Sequence, residues 1–301
     1  MKKVLVIGST VADIVINIDK LPTTMQDVHV HSQTFSLGGC ACNVSSMIRN
    51  FGVPCLLFSP VGTGIYADFV RKELAARGLS SPIPPVDMEN GCCFCFVEES
   101  GERTFICHHG AEYFFCDEWF ESLDTTQFEY VYVCGLEIEE TTGDTVLGFL
   151  ERSGLKIVFG PGPRIDKIPA DKMKRLFALH PIVHLNEDEV CRFTGCDNIE
   201  SAAAALYGQT GNTVIITNGA NGSYFYDQTG LHHVQGVKAE KIVDTIGAGD
   251  GHCGAVLACL AAGRGMQEAL ALANAAAARI VATKGATISA QEFALAKPND
   301  N

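Results

Sequence analysis

Six short apolar runs rich in β-branched or aromatic residues, at 4–7, 55–58, 130–133, 156–159, 182–185 and 213–217, alternate with segments of helical character at 41–51, 66–77, 142–151 and 201–207. That rhythm is the tightest constraint on the fold. A strand apolar along its whole length must be covered on both faces, which parallel strands joined by helical crossovers achieve. The chain is therefore predicted to form an α/β fold, a doubly wound, mainly parallel sheet with helices on both faces, whose ligands collect beyond the carboxyl ends of the strands. Two stretches break the rhythm. Residues of about 11–36 and 91–110 are β-rich without an intervening helix, and the second holds a hairpin around Ser100-Gly101. Together they predict a small β-lid over the site. With no repeat, low-complexity tract or linker, residues 1–301 read as one domain carrying that lid.

Charge narrows the choice of partner. The formal net charge is −13, and the 22 lysines and arginines are dispersed, so there is no electrostatic footprint for nucleic acid or an anionic membrane. Any anionic ligand must be held locally. The apolar run after the basic N-terminal residues is too short for a signal peptide, and Arg264 and Arg279 interrupt the alanine-rich C-terminal region, which argues against a membrane span. Thirteen cysteines scattered through strands and helices without a secretory signal point to reduced, mostly buried thiols and a cytoplasmic protein. Cys92 and Cys95, with Cys107, His108 and His109 across the hairpin, have the ligand types for zinc. Strand alternation puts Cys92 and Cys95 on opposite faces, which argues against a shared ion.

The residues that carry chemistry occur in order along the chain. Residues 244–252, D-T-I-G-A-G-D-G-H, open an apolar helix, and a glycine-rich turn feeding a helix N-terminus aims several N–H groups at one point, as phosphate binding requires. A carboxylate there repels phosphate, so Asp250 makes sense as a group that removes a proton beside it; its plain alternative is an acid in the first turn of a core helix. Gly38-Gly39 and Asn43, in G-G-C-A-C-N, suit close backbone approach and a hydroxyl-rich ligand, or simply a tight turn before a helix. Asp13 is placed to accept from two neighbouring hydroxyls or to be a solvated loop acid. Asn186 and Glu189, in N-E-D-E, either begin a helix or offer an amide and a carboxylate to a phosphate and a water-bearing Mg²⁺. Thr217, Gly219 and Gly222 form a T-x-G-x-x-G loop that alone reads as a turn. No G-K-[ST] loop is present, and Gly8 stands alone after the first strand, so neither a P-loop kinase nor a nicotinamide-dependent oxidoreductase is supported.

In this order the motifs resemble those of the ribokinase-like (PfkB) carbohydrate kinase family over nearly the full length. G-G-C-A-C-N looks like its N-terminal signature, D-T-I-G-A-G-D its C-terminal one, and E-S-G-E-R-T part of its lid hairpin. The resemblance implies an ATP-dependent kinase acting on a hydroxymethyl group of a small sugar, with Asp250 as general base and the N–H groups of Gly247, Ala248 and Gly249 as anion hole. It further implies that Asp13, Gly38, Gly39, Asn43, Glu137 and Arg164 bind substrate, and that Asn186, Thr217, Gly219, Gly222 and Asn274 serve the nucleotide. Glu189 would serve Mg²⁺ through water. Asp244 and Ile246, with the 284–286 loop at Gly285 and Ser289, would hold a monovalent cation such as K⁺; a helix C-cap is the alternative for Gly285. A homodimer through the lid is implied as well. The chain departs from ribokinases in carrying Val11-Ala12-Asp13 for N-x-D and Cys40-Ala41-Cys42 for the lysine-bearing segment, so ribose itself is not implied. F-G-P-G-P-R lacks the Asp and Asn of a D-x-N-x-R element, and His252 follows the catalytic position where an aromatic is usual. A nucleoside kinase is the alternative acceptor class, and a non-catalytic sensor on the same fold is opposed by the intact G-A-G-D.

Overall fold

The computed structural model of the chain describes residues 2–295. The chain begins with β1 (Lys3–Ile7), β2 (Val11–Ile18), β3 (Ser32–Gly38) and α1 (Cys40–Asn50), then β4 (Cys55–Phe58), α2 (Gly64–Ala76), β5 (Cys92–Glu98) and β6 (Arg103–His108). It continues through α3 (Asp117–Glu121), β7 (Phe128–Cys134), α4 (Gly135–Glu139), α5 (Gly143–Ser153), β8 (Lys156–Gly160), α6 (Ala170–Phe177), β9 (Ile182–Asn186) and α7 (Glu187–Thr194). The last elements are α8 (Ile199–Thr210), β10 (Val214–Thr217), β11 (Gly222–Asp227), β12 (Gly230–Gln235), α9 (Ala248–Ala261), α10 (Met266–Val281) and α11 (Ala290–Leu295).

The main sheet has eight strands in the order β12-β11-β10-β9-β8-β7-β1-β4. From β10 to β4 every pairing is parallel, and these are the apolar runs of the sequence: Val4 to Ile7 of β1 are all fully buried. The antiparallel hairpin β11–β12 at one edge is not anticipated by the strand-helix rhythm, because it returns directly from Asp227 to Gly230 without a crossover. Parallel strands need the crossover and antiparallel ones do not. The second sheet, β3-β2-β5-β6, is drawn from the two stretches that break the rhythm. No helix among the described residues is long and apolar enough to cross a membrane.

What positions the site is α9. Nine consecutive residues from Gly251 to Cys259 are buried, as expected of a helix apolar all round, and the helix packs between α1 and α10. Glycines set its distance from α1. A Cβ at Gly254 would stand 2.7 Å from the Val44 carbonyl oxygen of α1, and one at Gly251 would overlap Ile280 of α10. The close approach brings Asn43, in the first turn of α1, to the first turn of α9. Gly254→Val should therefore destabilise the protein by about 1–3 kcal/mol, the usual scale of overpacking, read as a lower urea midpoint; an unchanged midpoint would show that the helices can part without loss.

Candidate active site

At the N-terminus of α9 the backbone presents free hydrogen-bond donors. Gly247 caps the helix with φ of +73° and has the carbonyl oxygen of Ala286 packed against its Cα, where any side chain would collide. Among the described residues no acceptor takes the N–H groups of Gly247, Gly249 or Asp250, and that of Ala248 makes only a long 3.3 Å bond to the Thr245 carbonyl. These donors converge at the positive end of a 14-residue helix. Asp250 stands among them in the first turn. Asn43 Nδ2 donates to its Oδ2 at 2.9 Å. Burial pushes its pKa up to about 6, against the hydrogen bonds from Asn43 and Cys40 that favour the ionised form, while the charge of Glu189 adds to the rise.

Two cavities hold residues of the motifs, and the larger borders this helix end. The smaller, of 140 Å³, is lined by Ser9, Asp13, Gly39, Cys40, Tyr113 and the lid residues Cys93, Cys107 and His109. Asp13 projects from β2 of the lid. Burial, then the nearby charges of Cys107 and Asp250, raises its pKa to about 7. The glycine pair that precedes α1 has a steric origin: a Cβ at Gly38 would occupy the space of the Asp13 carboxylate, and Gly39, at φ +95°, would meet the Ser9 carbonyl oxygen at 2.5 Å. Glu137 is fully buried at the start of α4. Its Oε1 accepts the Ser9 N–H at 2.8 Å, its Oε2 has no partner, and burial lifts its pKa to about 7. Arg164 lies farther out, with Nε donating to Glu139 at 2.7 Å, so its guanidinium is already committed to a carboxylate.

The larger cavity, of 610 Å³, borders Ala248 and Gly249 and is lined by Thr217, Gly219, Gly222, His252 and Asn274, with apolar Val237, Ala277, Ala278 and Val281. Segment 236–242 supplies one wall. Nothing in the motifs pointed to it. Asn274 is buried, and its polar atoms are engaged within the protein: Nδ2 donates to the carbonyls of Val234 and Gln235 at 3.2 and 3.1 Å, which leaves Oδ1 to accept from His252 Nε2 at 3.1 Å. His252 Nδ1 must then accept from His184 Nε2, 2.8 Å away. Burial pushes both imidazoles well below their usual range, to about 4 and about 3, so they form a neutral relay that ties α9, α10 and β9 to the β12 edge. His252 therefore has a packing role at the cavity wall, and His184 went unmarked in the sequence.

Asn186 and Glu189 are brought together as a reciprocal capping box at the start of α7: Asn186 Oδ1 accepts the Glu189 N–H at 2.8 Å, and Glu189 Oε2 accepts the Asn186 N–H at 3.0 Å. The reading of N-E-D-E as a helix start is what the box shows; it engages one oxygen of Glu189, whose charge also raises Asp250. Asp244 is a junction. Oδ1 accepts the Ile246 N–H at 2.9 Å and pairs with Arg103 of β6 at 2.9 Å, and Oδ2 accepts the Gly285 N–H at 3.2 Å. Arg103 links lid to loop, a role its place in E-S-G-E-R-T did not reveal. Gly285 is not a helix C-cap, because α10 ends at Val281 and Ala282 caps it. Ser289 caps α11, its hydroxyl donating to Glu292 at 2.7 Å.

Comparison with known proteins identifies the family. The model of the pfkB family carbohydrate kinases matches residues 1–292. The chain is 29% identical over 289 residues to the uncharacterized sugar kinase YegV of Escherichia coli K12, covering 94% of this chain and 90% of that one. It is 27% identical over 278 residues to the ketohexokinase of Mus musculus, covering 89% and 92%. Among solved structures, ribokinase from Thermotoga maritima superimposes with a TM-score of 0.84 at 22% identity, covering 98% and 99% of the two chains. The nucleoside kinase of Burkholderia thailandensis, solved with inosine, gives 0.78 at 20% identity, covering 96% of each. The chain belongs to the pfkB family of carbohydrate kinases and is a phosphotransferase acting on a sugar or nucleoside hydroxyl.

Proposed function

We propose that the chain phosphorylates a hydroxymethyl group of a small sugar at the expense of ATP, with Asp250 as general base. The observation that carries this reading is the placing of Asp250 beside unpaired helix N–H groups and in a hydrogen bond from Asn43, with a large cavity at Ala248 and Gly249 and a small one at Asp13, whose carboxyl feels the Asp250 charge. The smaller one, at 140 Å³, supports a single sugar ring over a ribose carrying a base. Asp13 and Asn43 accept and donate to acceptor hydroxyls, Glu137 with its unpartnered Oε2 stands behind Ser9 of the pocket wall, and Gly38 and Gly39 let the backbone come close. Arg164 is at most an outer contact while Glu139 holds it.

Asp250 removes the proton of the primary hydroxyl as its oxygen bonds to phosphorus and the bond to the departing ADP breaks, while the N–H groups of Gly247, Ala248 and Gly249 hold the transferring phosphoryl. The apolar wall at Val237, Ala277 and Val281 fits a purine, with Thr217, Gly219 and Gly222 beside the phosphates and Asn274 holding the wall in place. Asn186 and Glu189 fit water-mediated retention of Mg²⁺, since one Glu189 oxygen is outside the capping box. Mg²⁺, when bound, neutralises phosphate charge. Carbonyls of Asp244, Ile246, Gly285 and Ser289 would hold a K⁺ ion; the Gly285 to Asp244 bond and the Ala286 carbonyl against Gly247 support that reading, because they bring the two loops together. The four-stranded sheet acts as a lid that excludes water, and its exposed Phe35, Phe105 and Ile106 support a homodimer through it. The whole chain works as one kinase domain in the cytoplasm.

Three outcomes test this reading. Asp250→Asn should lower kcat by about a hundredfold or more while calorimetric ATP affinity is kept, and near-normal turnover would remove Asp250 from its role. Asp250 and Asp13 take up protons near 6 and 7, and the base works only ionised, so kcat/KM should fall as pH drops through that range. Asn43→Ala, which deletes a bond favouring the ionised form of Asp250, should move the fall to higher pH; a flat profile in the wild type contradicts the assignment. Matched KCl, NaCl and tetramethylammonium chloride should rank with KCl highest in kcat, and equal rates in all three would leave the 284–289 loop as structure only.

A further inference from the structure

One face of the lid carries a row of cross-strand partners, Ser36, Asp13, Cys93 and Cys107, on β3, β2, β5 and β6 in turn. The row ends in two thiols whose Sγ atoms are 3.4 Å apart, and both line the small cavity beside Asp13. Directly opposed residues of an antiparallel pair have Cα atoms roughly 4.5–5.5 Å apart, inside the span that a disulfide bridges, and closing the bond to about 2.0 Å needs only a small side-chain turn. Of the thirteen cysteines, all within the described residues, Cys107 alone is exposed. His109 lies close enough to act on its charge, and His109 Nδ1 lies 2.5 Å from Glu140 Oε1. Carboxylate, imidazole and thiol in sequence favour an imidazolium beside a thiolate. In keeping with that, Cys107 is pulled down to about 5, first by the Cys93 hydrogen bond and then by His109, and His109 is raised to about 9, first by Cys107. Phosphoryl transfer uses neither thiol.

We propose that Cys93 and Cys107 form a peroxide-reactive site, in which a reversible disulfide switches the acceptor pocket to a weak-binding state. The Cys107 thiolate attacks one oxygen of hydrogen peroxide, the O–O bond breaks, and the departing hydroxide takes the His109 proton to leave as water. The resulting sulfenic acid is attacked by Cys93 sulfur, and its hydroxyl leaves as a second water with the Cys93 proton. Two thiols are oxidised and one peroxide is reduced. A small-molecule thiol reverses the bridge. The effect on the acceptor rests on the kinase reading: the bridge removes the Cys107 charge that acts on Asp13 and locks the strands to either side of it.

The full chain, reduced and then exposed to modest hydrogen peroxide, should give on alkylation and peptide mass spectrometry a Cys93–Cys107 bridge before other cysteines are consumed. Cys93→Ser should accumulate a dimedone-trapped sulfenic acid at Cys107, and Cys107→Ser should form no bridge. Both readouts are independent of activity, so they stand or fall apart from the kinase reading. Bridged protein should show an acceptor KM raised at least tenfold, on the order of one disturbed polar contact, with the ATP KM kept and dithiothreitol restoring the acceptor KM. Oxidation that spares Cys107, or no trapped sulfenic acid in Cys93→Ser, overturns the site; a bridge that leaves acceptor KM unchanged overturns the switch.

Discussion

The carboxylate of Asp250 occupies the end of α9 where the helix field and unpaired N–H groups favour an anion, yet it is buried and feels the charges of Asp13 and Glu189 in a chain with net charge −13. Burial lifts Asp13, Asp250 and Glu137 to between about 6 and about 7. Groups so placed are poised near neutral pH, where a proton acceptor is most effective. Lys238 and Lys241 stand on the wall of the cavity that the loop borders, and Arg103 is paired with Asp244, which accepts the Ile246 N–H of the loop. Gly247, at φ +73° against the Ala286 carbonyl, makes possible the turn in which those amides stay free.

The architecture follows from keeping that helix end in place. Gly251 and Gly254 admit Ile280 of α10 and the Val44 carbonyl of α1 to close contact, and through α1 the Asn43 amide reaches Asp250. On the other side the relay from His184 through His252 to Asn274 fixes α9 to β9 and to the β12 edge. The lid enters through Arg103 and Asp244, so a movement of β6 is felt in the loop that supplies the N–H groups. One junction therefore joins acceptor cover, anion loop and the 284–289 loop.

Much of this was legible in the sequence, for a physical reason. Fully apolar short runs have few places to go but a parallel sheet, and β1, β4, β7, β8, β9 and β10 begin and end within two residues of the runs that announce them. Glycines in G-G-C-A-C-N and G-A-G-D mark positions where backbone must come close, and the structure supplies the neighbours: Asp13, the Ser9 carbonyl and the Ala286 carbonyl. What stayed hidden is which distant side chain meets which. Asn43 and Asp250 are 207 residues apart, His184 and His252 are 68 apart, and no local pattern encodes either pairing. Segment 236–242 forms a cavity wall without regular structure, and periodicity has nothing to detect there. The capping box of Asn186 and Glu189 shows the converse, a motif read as ligand-binding that is first of all a helix start.

The central claim is that the group passed from ATP lands on a hydroxymethyl oxygen of a small sugar in the Asp13 pocket. Incubating the protein with ATP, Mg²⁺ and a panel of hexoses, pentoses and nucleosides, and reading each acceptor by mass spectrometry and ³¹P NMR, tests it directly. A single-ring sugar that gains one phosphoryl group at its primary hydroxyl, faster than any nucleoside, is the predicted result. ATP hydrolysis with no phosphorylated acceptor, or preferred transfer to a nucleoside, would contradict it.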